Sequence, residues 1–349
     1  MLNIVRSWVE KYFSDEEAVV LFILLIAGLA VVVLVGGMLA PVIASMVLAF
    51  ILQGLVSKLV TRGFNETGSI LAVYMLFIGL FFAFLFFLLP LVLGQVTALV
   101  KEFPRMFSEL QSYIKLLPQE YPSLLSEGSV NNLFNQATSE AAKFGQWVVS
   151  FSIESFPVFV TVLIYIVLVP ILVFFFLKDR KLILNSLAGL LPREKKLMTR
   201  VWHEMNMQFA NYIRGKVVEI LIVGVATYLA FVVMGLNYAV LLGILVGLSV
   251  LVPYIGATIV TIPVAMIALF QWGWGSDFFY LMIVYGIIQA LDGNVLVPLL
   301  FSEVVNLHPV VIIVAVLFFG GIWGLWGVFF AIPLATLLKA VFSAWPVAK

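Results

Sequence analysis

Long stretches without any charged residue are the feature of this chain that most restricts how it can fold. About 20 apolar residues cross the hydrocarbon core of a bilayer as a helix, so the longer stretches hold more than one crossing. With 64% hydrophobic and only 11% charged residues, the chain cannot form a water-soluble globule. The stretches lie between Glu17 and Lys58, Glu66 and Lys101, Glu154 and Lys178, Glu219 and Asp277, and Glu303 and Lys339.

These stretches predict an all-α polytopic integral membrane protein with about eight membrane segments. Only helices and closed barrels satisfy their backbone hydrogen bonds within lipid, and these runs are too long for barrel strands. We expect Gly36-Gly37 and Pro41 to form a turn that divides the first stretch into two spans. The predicted segments are Ala18–Val35, a returning span to about Val56, Ile70–Gly94, Phe156–Leu177, Lys216–Gly235, Tyr238–Trp272, Phe278–Leu300 and His308–Phe342.

The distribution of Lys and Arg predicts the orientation in the membrane. Residues 178–216 hold nine basic and three acidic residues, and short loops rich in Lys and Arg stay in the cytoplasm. Residues 95–155 hold four basic and six acidic residues, so this segment is expected outside. Counting the spans then places both termini in the cytoplasm. Arg214 and Lys216 are expected to be cytoplasmic anchors, and the spacing also lets Lys216 pair with Glu219.

Five parts are expected along this topology. Apolar residues recur at helical spacing from Phe103 to Leu117 and from Val130 to Phe151, which predicts two amphipathic helices. These helices either pair with each other as a hairpin or pack against neighbouring subunits. Residues 197–209 predict a basic amphipathic helix in the lipid headgroup region rather than a nucleic-acid-binding element. The parts are the N-terminal membrane segments (1–94), the extracytoplasmic amphipathic insertion (95–155), membrane segment 4 (156–177), the basic cytoplasmic loop with its interfacial helix (178–215) and the C-terminal transport core (216–349).

Two of the predicted segments are too long for one crossing, and both are interrupted. As a single helix, Tyr238–Trp272 would be about 52 Å long, whereas the hydrocarbon core is about 30 Å thick. It is broken at Pro253–Gly256, and His308–Phe342 is broken at Gly320–Gly327. An Ile-Pro-aliphatic-Ala motif follows each break. Paired broken segments of this kind are typical of transporter binding sites, because they free backbone groups and helix ends to bind an ion or a solute. Each segment is either a kinked span or a re-entrant hairpin.

One carboxylate lies well inside a predicted membrane segment. Asp292 near the bilayer centre would cost roughly 2.5–3.5 kcal/mol on insertion scales, and Gln289 shares its helix face. Such a face can coordinate a cation, relay a proton or bind a hydroxylated solute; the alternative is a structural hydrogen bond to a neighbouring helix. The candidate ion- and solute-binding residues are Asp292, Gln289, Asn294, Tyr254, Gly256, Pro253, Gly321 and Gly324.

Glu303 and His308 are candidates for a proton relay, because histidine titrates near neutrality. A histidine that precedes proline at a helix start is more often a cap or turn residue. The chain has no cysteine and only two histidines, and it carries no zinc-protease or Walker A motif. We therefore expect no catalytic residue, no metal site and no cofactor.

Six motifs occur in order along nearly the whole chain. They are FFFLKD (174–179), NYIRGK (211–216), VPYIGA (252–257), QALDGNVLVP (289–298), SEVVNLHP (302–309) and GGIWGLWGVFFAIPLAT (320–336). In these motifs the chain resembles the autoinducer-2 exporter superfamily, and most closely its PerM-like permeases. The resemblance implies eight membrane segments, an insertion between the third and the fourth, and homo-oligomers, with pentamers among them. It also implies either export of the furanosyl signal autoinducer-2 or antiport of Na⁺ or Li⁺ against protons.

Together these observations predict a secondary transporter of the bacterial inner membrane rather than an enzyme. Export of a small polar signal or metabolite such as autoinducer-2 is the first hypothesis, and monovalent cation/proton antiport is the second. A non-transporting membrane scaffold, based on the outer amphipathic helices, is the third. The expected partners are a small polar solute or a monovalent cation, the lipid bilayer and further copies of the same chain, and not nucleic acid.

Overall fold

A computed structural model describes residues 16–120, 155–189, 196–253, 255–301 and 307–345, and every regular element within these ranges is helical. This confirms the predicted all-α fold. The helices are α1 (Glu16–Thr61), α2 (Glu66–Ala83), α3 (Leu89–Glu120), α4 (Ser155–Lys178), α5 (Arg180–Gly189), α6 (Lys196–Val233), α7 (Ala239–Ser249), α8 (Ile255–Trp272), α9 (Ser276–Leu291), α10 (Val297–Phe301) and α11 (Pro309–Ala344), with π-helical turns at Phe84–Leu88 and Asp292–Leu296.

The turn predicted at Gly36-Gly37 and Pro41 is wrong, because α1 continues through all three residues. Gly36 serves close packing instead: a Cβ atom on it would collide with the indole of Trp323. Pro41 lacks only one backbone donor, a loss that apolar membrane helices tolerate. The first two predicted segments are thus one helix, and seven of the described helices are long and apolar enough to cross a membrane.

Two helices are longer than predicted because a membrane span continues directly into an amphipathic segment. After the π-helical turn, α3 extends the third span into the predicted outer insertion as far as Glu120. The second amphipathic helix of that insertion lies outside the described residues. Likewise, α6 joins the predicted interfacial helix to the fifth span in one helix of 38 residues. The predicted part boundaries at 94–95 and 215–216 therefore fall inside helices.

Contacts between loops agree with the predicted sidedness of the segments. Lys181, in the basic segment, forms an ion pair with Glu66 at 2.7 Å, so the two loops predicted on the cytoplasmic side meet. On α3, the Gln95 side-chain oxygen accepts a hydrogen bond from the backbone N–H of Leu241 at 2.8 Å. The start of α7 therefore lies beside the segment predicted to be outside. Which face is cytoplasmic stays a prediction from the Lys and Arg distribution.

The first broken segment is a helical hairpin, formed by α7 and α8 and called the first hairpin below. The Gln271 side chain, at the end of α8, accepts from the Asn237 N–H and donates to the Gly235 carbonyl, both at 2.7 Å. The two ends of the segment are therefore neighbours, which excludes a single kinked span. At the tip, Gly256 lies so close to the Ser249 carbonyl that a Cβ atom would collide with it.

The second broken segment, α11, is also a hairpin, called the second hairpin below. Its backbone leaves helical geometry at Gly324, where φ is 59° and ψ is −136°, a conformation that requires glycine. Past the turn, Gly327 packs directly on the Phe319 carbonyl, where a Cβ atom would not fit. An open pocket of about 690 Å³ between the two arms is lined by residues from both ends of the segment, Val311 and Phe342 among them.

The two hairpins approach α6 from opposite ends, and their tips meet near its middle. The first hairpin has its open end beside the C-terminus of α6 and contacts Ile220 near its tip, where the backbone of Gly247 packs closely. The second hairpin has its open end near Val201, which packs in one cluster with Val341, and reaches Phe209 with its tip. The first half of α6, expected in the headgroup region, therefore packs against protein. At 38 residues, α6 is about 57 Å long and can carry both hairpins.

The tight turn of the second hairpin predicts that Gly327→Ala destabilises the protein. The added methyl would displace the backbone of Phe319, and overpacking of this kind costs about 1–3 kcal/mol. The measurement is the thermal unfolding temperature of the purified protein in detergent. Gly286→Ala is the matched control, because nothing lies within 4 Å of a Cβ atom at that helical glycine. Equal unfolding temperatures for the two variants would contradict the hairpin geometry.

Candidate ion and solute site

A buried ion pair lies where the two hairpin tips meet. Lys216 and Glu219 are one turn apart on α6, and the Lys216 Nζ is 2.7 Å from a Glu219 carboxylate oxygen. Their side chains are only 5% and 2% exposed. The expected pairing is present, but the prediction that Lys216 is a cytoplasmic anchor is wrong; Arg214, two residues earlier, is exposed. Charges as buried as these are stable only when they are paired and hydrogen-bonded.

Lys216 also binds the tip of the first hairpin. Its Nζ donates a hydrogen bond of 2.7 Å to the carbonyl of Val250, the C-cap residue of α7. Unsatisfied carbonyls and a partial negative charge collect at a helix C-terminus, so an ammonium group is favourable there. The ring of Phe301 lies under the same nitrogen, with 5.2 Å from Nζ to the ring centroid. Lys216 thus joins α6, α7 and α10.

Asp292 begins a π-helical turn that faces this pair. The Val297 N–H donates to the Asp292 carbonyl, five residues back instead of four, which places one extra residue in the turn. Single π-helical turns of this kind occur frequently at functional sites. The π-helical turn packs against α6, which places the Asp292 carboxylate close enough to act electrostatically on both Lys216 and Glu219. One lysine and two acids from two different helices therefore form a single charge cluster.

Two polar atoms on the Asp292 face are buried without a hydrogen-bond partner among the described residues. They are Oδ1 of Asp292 and Nε2 of Gln289, one acceptor and one donor. Leaving a buried polar group unsatisfied costs roughly 1–3 kcal/mol, more for a charged group. A bound ion or a hydroxylated solute would satisfy these atoms. With Asp292 ionised, the cluster carries a formal charge of −1, which one proton or one monovalent cation neutralises.

The second hairpin reaches the site one turn of α6 away from Lys216. The Tyr212 hydroxyl donates to the Phe329 carbonyl at 3.2 Å, just beyond the hairpin turn. The Tyr212 ring also packs against Phe301 at 5.9 Å between centroids. Phe330 stacks on Phe209 at 5.9 Å with nearly parallel rings. Aromatic contacts therefore hold the second tip next to the charge cluster.

Five further predicted site residues lie in the two hairpin tips or beside Asp292. Gly256 is buried in the first tip and Pro253 is half-buried there, whereas Gly321 and Gly324 are exposed in the second turn. The Asn294 side chain is exposed and donates to the Ala290 carbonyl of its own helix, so the structure does not bring it into the cluster.

Three predicted site residues lie away from the charge cluster or outside the described residues. Tyr254 and Glu303 lie outside the described residues. His308 is exposed and caps α11, with its Nδ1 accepting from the Val310 N–H at 3.3 Å, which is the capping role weighed against the proton relay.

Sequence reasoning did not place Lys216 and Glu219 in the site. Arg214 and Lys216 at the start of the predicted span have the pattern of a membrane boundary, although Lys216 belongs to the charge cluster. The signal for Glu219 was available, because it is a single acid inside the predicted span Lys216–Gly235. No comparable signal existed for Lys216, since its partner Val250 is 34 residues away and contributes only a backbone carbonyl.

Comparisons with known proteins connect this architecture to transport. A family model described as AI-2E family transporter matches residues 21–347. The Escherichia coli K12 protein named permease PerM is 46% identical over 346 residues, which cover 99% of this chain and 98% of that protein. The Bacillus subtilis proteins named transport proteins YueF and YrrI are 27% and 26% identical, over 93% and 86% of this chain and 90% and 84% of their own lengths.

The buried pair predicts a specific pattern of stabilities. Lys216→Met should lower the free energy of unfolding by about 3–5 kcal/mol, because it leaves the buried Glu219 carboxylate without its cation. Glu219→Gln should lower it by less, because Asp292 still balances the charge of Lys216. The double variant should recover much of that loss, since it removes both charges. Denaturant titration of the protein in detergent measures the three values.

The exposed pair provides the matched control for this pattern. Lys181 and Glu66 are also 2.7 Å apart, but their side chains are 78% and 53% exposed. Lys181→Met should therefore change the free energy of unfolding by only about 0–1 kcal/mol. A double Lys216/Glu219 variant that is no more stable than the weaker single variant would argue against the buried pair.

Proposed function

We propose, from the premise that the chain belongs to the AI-2E family of transporters, that it is a secondary transporter whose site lies between Asp292 and the two hairpin tips. Asp292 carries the coupling proton or monovalent cation in this proposal. Gln289 and the backbone at the breaks bind the transported solute. Members of the family are named as transporters, permeases and transport proteins, and we propose transport without a chemical reaction for this site.

The observation that carries the proposal is the unsatisfied pair of buried atoms on the helix face where α9 runs into the π-helical turn. Oδ1 of Asp292 and Nε2 of Gln289 have no hydrogen-bond partner in the described ranges, and the charge cluster beside them carries a net charge of −1. A purely structural carboxylate would be expected to have its hydrogen bonds made by the protein. An ionisable group inside a membrane segment is by default a functional candidate.

The first candidate for the solute is a small polar signal or metabolite such as autoinducer-2. The reasons are the family and the chemistry of the site, in which an amide donor, a carboxylate acceptor and freed backbone carbonyls suit a hydroxylated molecule. Broken helices of transporters place such groups together near the centre of the membrane. Export is the direction favoured by the family resemblance.

The second candidate is monovalent cation/proton antiport, and the charge of the cluster favours it. Na⁺ and Li⁺ prefer carboxylate and carbonyl oxygens, and both types of oxygen occur here in Asp292, Glu219 and Val250. A single carboxylate that accepts either a proton or a cation would couple the two in opposite directions. In this case the transported species and the coupling ion would share Asp292.

The same proposal places the protein in the bacterial inner membrane, with both termini in the cytoplasm, as a homo-oligomer. The Lys and Arg distribution supports this orientation. Large apolar side chains exposed on α2 and α9 support contact with lipid or further copies of the chain. The family resemblance supports the homo-oligomer.

Asp292→Asn should reduce transport to below about a tenth of the wild-type rate, because the amide no longer carries the charge that binds the coupling ion. The measurement is flux in proteoliposomes, of autoinducer-2 in one set and of Na⁺ against protons in the other. Signal flux without cation dependence supports the exporter, and Na⁺/proton exchange supports the antiporter.

Asp277→Asn is the matched control, because Asp277 is an exposed acid in the first turn of the same helix, α9. It should keep the wild-type rate. Full flux in Asp292→Asn or Asp292→Leu would contradict the proposed site. Absence of any flux in the wild-type protein would favour the scaffold hypothesis.

A further inference from the structure

We propose that Lys216 is a positioning residue of the transport site. Its ammonium bonds the tip of the first hairpin to α6, a bond called the tie below, and Asp292 competes for the same ammonium. Loading of Asp292 with a proton or a cation keeps the tip tied, and unloading releases it. This inference rests on the proposed function for the role of Asp292. It adds to the site a residue, the last of the NYIRGK motif, and a step that the sequence by itself does not assign to it.

The ammonium of Lys216 occupies a place that suits a free monovalent cation. Its ligands are a Glu219 carboxylate oxygen and the Val250 carbonyl, both at 2.7 Å, with the face of Phe301 beneath it. Oxygen ligands at a helix C-terminus and an aromatic face are favourable for any small cation. Lys216 is therefore a cation attached to the protein, held at the junction between α6 and the hairpin tip.

The bond from Lys216 to Val250 is the side-chain hydrogen bond that ties the first tip to α6 in the described residues. Two further hydrogen bonds at the tip are local, because Leu251 and Val252 donate to the carbonyls of Leu248 and Ser249. Apolar contacts of α7 with α6 continue toward the open end, where Gly224 and Gly247 allow close approach. Val250 and Val252 add apolar contacts at the tip itself, so loss of the Lys216 bond loosens the tip while the rest of the hairpin stays packed.

Asp292 competes for the same ammonium. The π-helical turn packs against α6, and the Asp292 Oδ1 has no hydrogen-bond partner in the described residues. When Asp292 is ionised, two carboxylates therefore share one lysine, and the attraction toward Asp292 weakens the bond to Val250. When Asp292 holds a proton or a cation, that attraction falls and Lys216 stays between Glu219 and Val250. Whether Asp292 holds a proton or a cation therefore determines whether the tip stays bound to α6.

Within the part of the chain that the structure describes, few other charges face this competition. On α6 the groups that face the cluster are Lys216, Glu219 and the Tyr212 hydroxyl, and the π-helical turn contributes Asp292. The first hairpin lies in the charge-free stretch between Glu219 and Asp277, and the second carries a single charged residue, Lys339, near its open end. The balance between the two carboxylates is thus the main electrostatic variable at the tip.

A single thiol tests the tie directly, because the natural chain contains no cysteine. Ser249→Cys is a small change at the half-buried end of α7, next to Val250. The rate of its reaction with a small maleimide, in full-length protein reconstituted in liposomes, reports how often the tip opens. Adding Lys216→Met should raise this rate about tenfold or more, as expected for loss of a charged hydrogen bond.

Three further variants in the same Ser249→Cys background separate the tie from general destabilisation. Lys216→Arg keeps the positive charge and should label nearly as slowly as the parent. Arg214→Met removes an exposed cation from the same helix and should leave the rate unchanged. Lys216→Met/Glu219→Gln also lacks the tie but does not leave the buried Glu219 carboxylate without its cation, so it should label fast even if Lys216→Met alone fails to fold.

The competition with Asp292 has its own readout. Asp292→Asn imitates the loaded state, so its labelling should be slow at pH values on both sides of neutrality. The parent rate divided by the Asp292→Asn rate, which cancels the ionisation of the thiol itself, should rise with pH as Asp292 loses its proton. In the Lys216→Met background this ratio should stay constant.

Parental labelling rates in both variants that lack the tie would overturn the inference, and so would a ratio that does not change with pH and cation concentration. Neither result bears on the flux lost in Asp292→Asn, by which the proposed function is judged. Conversely, a released tip in Lys216→Met together with no flux in any variant would retain the tie and reject the transport role.

Discussion

A lysine ammonium held between a carboxylate and the end of a helix is the interaction on which the centre of this protein depends. In apolar surroundings a charge must be paired, and a broken helix must satisfy its free carbonyls. Lys216 meets both requirements at once, because it neutralises Glu219 and caps α7 at Val250. Without it, the first hairpin tip and the middle of α6 would each retain an unsatisfied buried group.

The long helix α6 provides the common support for both hairpins. The first hairpin packs along its second half through Gly224, Gly243 and Gly247, where backbones approach each other closely. The second packs along its first half through Phe209 and Tyr212. Because the hairpins enter from opposite ends, the two tips and the π-helical turn at Asp292 converge on the same short part of α6. The unsatisfied atoms of the site lie at this convergence and not at a helix end facing solvent.

How far the site could be predicted depended on the range of the interactions involved. Asp292 and Gln289 were recognisable because a carboxylate inside an apolar run is costly and its neighbour on the same face is set by helical periodicity. Lys216 was misassigned because a basic residue at the start of an apolar run has the same local pattern whether it lies at the interface or in the interior. Asn294 was included by proximity in sequence, whereas the π-helical turn directs its side chain to Ala290.

The amino-acid sequence by itself determined that this chain is an all-helical membrane protein, where its two overlong segments are broken and that the Asp292 carboxylate lies inside an apolar segment. These features follow from local composition and periodicity, which are visible in short stretches of the sequence. Only the tertiary structure decided that both broken segments are hairpins, that Gly36 is a packing site under Trp323 rather than a turn, and that Lys216 is internal. Each of these depends on a contact between residues distant in the chain, such as Lys216 with the backbone of Val250. Every residue has the same backbone carbonyl, so the sequence does not show which carbonyl Lys216 will bind.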